Sequence, residues 1–392
     1  NVFAGLVDGS GKATMAVGPL ARLNAPGLLA SLDRYPYGCT EQMTSRALPL
    51  LYFDEIARVM DLKGADNIQK RIDDAVMEIL ANQSSTGGFG LWGPADGDLW
   101  LNAYVTDFLS RAKAQGYQVP DLAFKNALAN LRNQVNYAPD FSSEINGGGE
   151  ALAYALMVLA REGAAAVGDL RYYADVKGDD FSTPIAMAQL GAALASYGDQ
   201  ARADAMFRKA AAKMESLAPE IGQTWRVDYG TRYRDAAALL TLAVESGSNA
   251  VDREALTDRI ATQGQNLSTQ EATWALLATN ALIDRPGAEG ITIDGKPADG
   301  PLVRVLDAGS VTPVVVKNDG ADTTVTVTTY GVPSEPEPAG GNGYAITRTY
   351  FTMAGEEVTL EGVTAGTRLV TVLEVTPFAY GEARLMVSDP LP

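Results

Sequence analysis

The feature that most constrains the fold is a long run of helical periodicity between residues 19 and 286. Segments rich in Ala and Leu recur there with apolar residues at helical spacing, and short turns containing Gly, Pro, Asn or Asp separate them. Short connections of about 2–8 residues are typical of packed helices. The predicted helices lie near residues 26–34, 39–60, 65–82, 99–115, 121–134, 148–162, 168–175, 183–197, 200–217, 232–247, 252–263 and 269–283.

These segments are of two kinds. Residues 151–160 and 236–243 are apolar on nearly every side, which predicts helices that are buried all round. Residues 200–217 instead carry Arg and Lys on one face. Alternating buried and amphipathic helices favour an α/α toroid of six helical hairpins, and an irregular α-solenoid is the alternative. The last helix has a predicted capping box, because Ser268 stands three residues before Glu271.

The two ends of the chain have β character, so the fold class is mainly α with β flanks. Residues 1–18 are Gly-rich, and the alternation from Val2 to Val7 indicates the end of a β segment. Residues 333–341 read as a linker, and the end of the sequence reads as the middle of a β domain, so we expect a fragment of a larger protein. Further strands are predicted near residues 303–306, 314–316, 323–329, 369–375 and 383–387.

Composition excludes several kinds of chemistry. The chain has no histidine, so it cannot build a Ser-His-Asp triad, a Cys-His dyad or a His-ligated metal site from its own residues. A single cysteine excludes a disulfide framework and a cysteine zinc site. The net charge is −17 and no basic run is present, which argues against nucleic acid as a partner. We expect no cofactor and no metal; calcium binding by Asp96 and Asp98 lacks support from any other residue.

The candidate reactive site is the pair Cys39 and Gln42, which are three residues apart. In the first turn of a helix, such residues lie on one face with Cβ atoms about 5–6 Å apart. The sulfur could therefore attack the side-chain carbonyl carbon of Gln42 and expel ammonia, which would leave an internal thioester. On spacing alone, a buried cysteine at a helix start is the more frequent reading.

The neighbours of this pair suit a protected acyl group. Tyr35 and Tyr37 flank it, Pro36 stiffens their presentation, and Met43 lies one step further on. Aromatic and apolar cover would keep water from a thioester until it is needed.

Glycines and aromatic residues follow at 83–106. The stretch 87–90 most simply makes a tight turn between hairpins, because no strand precedes it and no Lys-Ser/Thr follows as in a phosphate loop. Trp92 and Trp100 are predicted to lie in the toroid core. The acidic pairs at 73–74 and 179–180 are expected to be solvated.

The longer string around the site resembles a known family. Tyr-Gly-Cys-Thr-Glu-Gln at 37–42, followed by Met-Thr-Ser-Arg-Ala-Leu-Pro, is similar to the thioester region of the α2-macroglobulin/complement superfamily, and most similar to the bacterial α2-macroglobulins. The family motif Gly-Cys-x-Glu-Gln falls on Gly38, Cys39, Glu41 and Gln42, with Thr40 at the variable position. Residues 83–92 and 100–106 are similar to its next signature, and the resemblance covers nearly the whole chain.

The resemblance implies a domain order. The α/α toroid thioester domain would span residues 19–286 and be inserted in a β-rich CUB domain formed by 1–18 and 287–338. Residues 339–392 would begin a macroglobulin-like β-sandwich.

The resemblance also implies a function, that of a broad-spectrum protease inhibitor. The chain would be part of a single-use covalent trap and not an enzyme. Its partners would be target proteases, attached through lysine amines, and the rest of the same macroglobulin chain. The family further implies a periplasmic setting, an inner-membrane anchor outside this sequence, and a link to a penicillin-binding protein that no residue here indicates. Because histidine is absent, we expect the acyl group to pass directly to amines.

Two other classes stay open at this stage. One is an α/α-toroid enzyme of the terpene cyclase or glycosidase type, although no Asp-x-Asp-Asp run is present. The other is a binding module with an inactive thioester site.

Overall fold

The computed structural model describes most of the chain in two compact units. One unit contains Val2 and residues 11–330, and the other contains residues 3–10 and 331 onward. Three predicted features lie wholly or partly outside the described residues: Pro36, residues 383–386 of the predicted strand at 383–387, and part of the predicted linker at 333–341. The described residues are 2–35, 37–60, 67–142, 146–217, 226–261, 267–282, 290–297, 303–309, 313–320, 322–335, 339, 343–379, 387 and 389.

The larger unit is dominated by helices that match the sequence pattern within a few residues. The helices are α1 Pro19–Arg22, α2 Ala25–Asp33, α3 Thr40–Ala47, α4 Asp54–Val59, α5 Ile68–Leu80, α6 Leu99–Ala114, α7 Asp121–Asn136, α8 Glu150–Arg161, α9 Val167–Asp175, α10 Pro184–Ser196, α11 Gln200–Ser216, α12 Arg232–Glu245, α13 Arg253–Ala261 and α14 Thr269–Leu282.

The predicted helix over 39–60 is wrong as a single element. The structure divides it into α3, a 3-10 turn at Pro49–Leu51, and α4. Pro49 explains the division, because it supplies no backbone N–H to continue the helical hydrogen bonds of α3. The short helix α1 was not predicted.

Six inner helices form a closed ring. Helices α3, α6, α8, α10, α12 and α14 pack in that order, and α14 packs in turn against α3 and α2. Helices α5, α7, α9, α11 and α13 lie between successive inner helices in the chain, and each packs against at least one of them. The architecture is therefore an α/α toroid, and the α-solenoid alternative is excluded.

Burial separates the two kinds of helix as the sequence predicts. In α8, residues 152–160 are all buried, and in α12 residues 233–243 are all buried. Helix α11 buries one stripe at helical spacing and leaves its charged face to solvent. The buried residues of α11 are Ala203, Met206, Phe207, Ala210 and Met214.

A buried ion cluster joins inner helices that are not neighbours in the ring. On α6, Arg111 Nε lies 3.0 Å from Asp107 Oδ1, and Arg111 Nη1 lies 2.8 Å from Glu245 Oε1 on α12. Arg161 and Tyr154 on α8 also bind the Asp107 carboxylate. Burial alone would raise the pKa of Asp107, but the guanidinium groups of Arg111 and Arg161 lower it to about 2.

A small β-sandwich completes the larger unit. One sheet has the strand order β4-β1-β6 and the other has the order β3-β2-β5. Met15 and Val17 on β1 pack against Ile291 and Ile293 on β2, while Ala16 on the opposite face joins the helical core. The strands of this unit are β1 Lys12–Val17, β2 Ile291–Ile293, β3 Lys296–Pro297, β4 Val303–Asp307, β5 Val316–Asn318 and β6 Val325–Tyr330.

The first β segment lies later in the chain than predicted. Residues 2–5 form turns, and within residues 2–7 only Leu6 pairs, in an isolated bridge with Pro333. The strand is β1, which pairs with β4 and β6 from beyond the helical region. Strands that precede and follow the toroid thus share one sheet.

The smaller unit contains one antiparallel sheet in the order β8-β7-β9. Strand β9 confirms the predicted run at 369–375, whereas β7 was not predicted. Its strands are β7 Tyr344–Thr352, β8 Glu357–Val358 and β9 Leu369–Pro377. The domain boundaries at 18, 286 and 338, and the CUB and β-sandwich assignments, stay predictions. Among the described residues, no helix is both long and apolar enough to span a bilayer.

Candidate functional site

Cys39 and Gln42 meet at the beginning of α3. Cys39 is the N-cap, with φ −69° and ψ 162°, and Gln42 is the third helical residue. The backbone N–H of Gln42 donates to the Cys39 sulfur, and the Cys39 N–H donates to Gln42 Oε1 at 3.2 Å. This reciprocal capping box folds the side-chain amide back onto the cysteine. The predicted proximity of sulfur and carbonyl follows from this local geometry.

The sulfur is shielded from water. Cys39 is 6% exposed, whereas Gln42 is half-buried. Burial raises the pKa of the Cys39 thiol, and the backbone N–H groups of Gln42 and Glu41 oppose that shift. A buried sulfur is therefore a poorer leaving group than an exposed one, which slows cleavage of an acyl–sulfur bond in the covered state.

Thr40 anchors the start of α3 to the glycine-rich loop. Its backbone N–H donates to Leu91 O at 2.9 Å, and its hydroxyl donates to Gly90 O at 2.5 Å. Asn82 Nδ2 donates to the same hydroxyl at 2.8 Å. Thr40 was not selected from the sequence because it falls at the variable position of the family motif, and Asn82 lies outside that motif. Both hold the reactive turn in place.

The glycines of this loop are required by close approach, which confirms the predicted turn. A Cβ on Gly88 would lie 2.3 Å from Asp96 O, and a Cβ on Gly90 would lie 2.1 Å from Gly93 O. Asp96 accepts from Ser84 and Thr86, and Asp98 caps α6. No cluster of metal-ligating side chains occurs among the residues that the structure describes.

Glu41 is buried in a polar network between α3 and α14. Its Oε1 accepts from Ser45 Oγ at 2.7 Å, from Gln270 Nε2 at 2.8 Å and from Thr269 Oγ1 at 3.0 Å. Ser45 Oγ also lies 2.7 Å from Tyr104 OH on α6. Burial raises the pKa of Glu41, and the three donors oppose that shift. The network fixes the first turn of α3 to both neighbouring inner helices, through residues that sequence analysis did not select.

The predicted cover residues take different places. Tyr35 is half-buried, and burial raises its pKa while a hydrogen bond with Gln42 opposes that shift. Its ring meets that of Tyr37 edge-on at 5.6 Å between centroids, although Tyr37 is 42% exposed. Met43 is half-buried and packs against the helical core. Gly38 is exposed and has open space around its Cα.

The two tryptophans that were predicted to lie in the toroid core differ in burial. Trp100 is 4% exposed and stacks on Tyr104 at 5.2 Å, as predicted. Trp92 is 75% exposed, so its prediction as a core residue is wrong. Leu91 is the last residue of the loop that bonds to Thr40, and the residues after it are mostly exposed to solvent, so Trp92 points away from the core. The acidic pairs bind Gln or Lys side chains, and none of the four carboxylates is buried, as expected of solvated positions: Asp73, Asp74, Asp179 and Asp180.

Comparison with known proteins supports the family resemblance found in the sequence. Residues 12–142 match the family model of the A-macroglobulin TED domain. The α2-macroglobulin of Escherichia coli (strain K12) is 32% identical over 277 residues, which is 68% of this chain and 16% of that protein. The chain belongs to the α2-macroglobulin family. It spans 16–17% of the length of the α2-macroglobulins of E. coli and of Xylella fastidiosa (strain Temecula1).

Solved α2-macroglobulins share the fold over nearly all of the chain. The native E. coli protein from domain MG7 to the C terminus matches with a TM-score of 0.79 and 26% identity, covering 96% of this chain and 61% of that one. Salmonella α2-macroglobulin reacted with methylamine matches with a TM-score of 0.77 and 27% identity, covering 95% of this chain and 25% of that one. The α/α toroid with adjacent β domains is thus an α2-macroglobulin arrangement.

Proposed function

We propose that Cys39 and Gln42 form an internal thioester. The Cys39 sulfur attacks the Gln42 side-chain carbonyl carbon, the C–N bond breaks, and ammonia leaves with the thiol proton. The observation that carries the proposal is the reciprocal contact between the two residues, because it folds the side-chain amide of Gln42 back onto Cys39. The Cys39 N–H already bonds Gln42 Oε1, where negative charge develops during the attack, and stabilises it there.

The thioester then acylates an amine. The amine nitrogen attacks the former Gln42 carbonyl, the C–S bond breaks, and Cys39 recovers a thiol while an amide joins the chain to its target. Lysine side chains are the expected amines on a protein target. The chain contains no histidine to take over the acyl group first, which favours direct transfer to nitrogen over transfer to hydroxyl groups. The Salmonella relative that has been reacted with methylamine supports amine reactivity.

Family membership supports a proposal for the larger role. We propose that the chain is the thioester-bearing part of a protease inhibitor, which captures its target once and does not turn over. The captured partner is a protease, and the rest of the macroglobulin chain would supply the segment that the protease cleaves. A periplasmic setting, an inner-membrane anchor and a penicillin-binding protein as partner remain proposals that rest on the resemblance alone.

Cover is essential to this role, since water competes with the amine. Tyr35 lies against Gln42, and the Cys39 sulfur is buried beneath the first turn of α3. We propose that Tyr35, supported by Tyr37 and Met43, keeps water from the carbonyl carbon until a change elsewhere in the protein uncovers it.

Intact mass and thiol titration test the bond directly. The purified chain should lack the mass of one ammonia, and Cys39 should resist thiol reagents until methylamine is added. Methylamine should then add its own mass and release one thiol. Cys39→Ser should abolish both effects. Gln42→Asn, which keeps the amide but shortens its reach by one methylene, should abolish them as well. A full-mass wild type with a freely titrating thiol would leave only a binding module with an inactive site.

A competition experiment tests the preference for amines. Wild type is offered labelled methylamine and labelled glycerol at equal concentration, and the incorporated label is located at Gln42. We expect label from methylamine alone. Equal uptake of glycerol would contradict direct transfer to amines.

A further inference from the structure

A close cation–π contact lies next to the cover of the reactive site. The guanidinium carbon of Arg34 is 3.4 Å from the ring centroid of Tyr330. Arg34 ends α2, and Tyr330 is the last residue of β6. Strand β6 pairs with β1 along its whole length, from Val17↔Val325 to Lys12↔Tyr330, so Tyr330 projects from a well-supported strand.

Tyr330 is one of three side chains of β6 that contact α1 or the residues that flank α2. Thr326 Oγ1 donates to Ala21 O at 2.7 Å, and Thr328 Oγ1 donates to Asn24 Oδ1 at 2.7 Å. Residues at every second position of a strand share one face, so these contacts and the Arg34 contact form a single row. The row fastens the polypeptide leading to the reactive site onto β6.

Arg34 directly precedes Tyr35, and the backbone of Tyr35 is held from both sides. Its N–H donates to Leu32 O at 3.2 Å, and its carbonyl accepts from Arg46 Nη1 at 3.5 Å. Tyr35 can therefore reach Gln42 only while the end of α2 stays in place. Arg34 is exposed, and its guanidinium contacts another element of the fold by stacking on Tyr330.

We propose that Arg34 and Tyr330 are positioning residues that hold Tyr35 over the thioester. This proposal rests on the proposed function, and it adds a structural reason why Tyr35 stays over the thioester. While the guanidinium lies on the ring, the turn between α2 and α3 keeps Tyr35 against Gln42. When the contact is lost, that turn moves more freely, and water or an amine reaches the carbonyl carbon more often.

The experiment measures thiol release from the loaded chain with and without methylamine. Arg34→Gln and Tyr330→Leu should each raise the spontaneous rate about two- to fivefold, the range that an exposed cation–π contact supports. Tyr330→Phe keeps the aromatic face and should release thiol at the wild-type rate. The double variant Arg34→Gln/Tyr330→Leu should be no faster than the faster single variant, because both remove one interaction.

Two further variants separate the possible outcomes. Arg58→Gln removes another exposed arginine, which pairs with Asp54 on α4, and should leave the rate unchanged. Tyr35→Ala removes the cover itself and should raise the rate whether or not the arginine contributes. Wild-type rates in Arg34→Gln and Tyr330→Leu, with fast release from Tyr35→Ala, would overturn the positioning role alone. An equal rise in Tyr330→Phe would also overturn it. A wild type that releases no thiol with methylamine would refute the proposed function and this inference together.

Discussion

Glu41→Ala should destabilise the chain and lower the fraction that carries a thioester. The substitution removes the acceptor of three buried donors, on Ser45, Thr269 and Gln270. Ser45 keeps its contact with Tyr104, and Gln270 Nε2 keeps Ser45 Oγ at 3.3 Å, so Thr269 loses most. One buried donor left unsatisfied costs about 1–3 kcal/mol, and the vacated volume adds to it. We expect the free energy of unfolding to fall by about 2–4 kcal/mol.

Glu41→Gln is the matched control. Glutamine has the same shape, and its carbonyl oxygen can take the place of Oε1, which accepts all three donors. We therefore expect Glu41→Gln to keep most of the stability and most of the thioester. Urea unfolding gives the free energy, and methylamine-released thiol gives the loaded fraction.

The difference in stability between wild type and Glu41→Gln should change with pH in a defined direction. Burial raises the pKa of Glu41 in the folded chain above its ordinary value of 4.5, so the folded state binds the proton more tightly than the unfolded state. Wild-type stability from this group is full below that value and is lost as pH rises through the folded pKa. Glu41→Gln carries no such proton. Its stability relative to wild type should therefore improve as pH rises from 4.5 through the raised pKa of folded Glu41.

Two results would refute this reasoning. If Glu41→Gln loses as much stability as Glu41→Ala at every pH, the acceptor geometry is not what Glu41 contributes. If Glu41→Ala unfolds at the wild-type urea concentration and keeps its thioester, the network between α3 and α14 does not support the site.

Three further predictions concern the surroundings of the site. Thr40→Val should lower the free energy of unfolding by about 1–2 kcal/mol and speed spontaneous thiol release, because the Gly90 and Leu91 carbonyls lose a donor; unchanged release would contradict an anchoring role. Gly90→Ala should reduce methylamine-released thiol, since its Cβ meets the Gly93 carbonyl, whereas Gly93→Ala has open space and should behave as wild type; equal behaviour of the two would count against the close approach. Asp107→Asn should be less stable than wild type at pH 7. Urea unfolding should show this difference in stability shrinking as pH falls from about 4 to 2, because protonation of Asp107, whose pKa is lowered, removes the contribution of its carboxylate to wild-type stability. A difference that stays constant with pH would argue against the ion cluster.

Local patterns were the part of the molecule that sequence could predict. The spacing of Cys39 and Gln42 and the capping box of Ser268 and Glu271 each depend on one turn of helix, and the structure contains both. Helix periodicity likewise predicted the toroid, because a helix that is apolar all round has to be enclosed.

Contacts between distant segments left no such pattern. Thr269 and Gln270 bind Glu41 from 228 and 229 residues away, so no spacing in the sequence indicates them. Strand β7 was missed because its sheet is partly exposed on both faces, which removes the alternation that marks a half-buried strand. Trp92 was misplaced because hydrophobicity alone does not say where a glycine turn directs a side chain.

The pairing of β1 with β6 also has a consequence for biosynthesis. Met15 lies opposite Val327, so the partners of the first strand are made roughly 310 residues after it. The intervening helices pack mainly on neighbours that leave the ribosome close together, and they can assemble while β1 is still unpaired. The β4-β1-β6 sheet is then the last part of this unit to close, and the β6 residues that bind α1 and the start of α2 arrive only at that step. A nascent chain would thus contain Cys39 well before it contains β6, the strand that we propose to steady its cover.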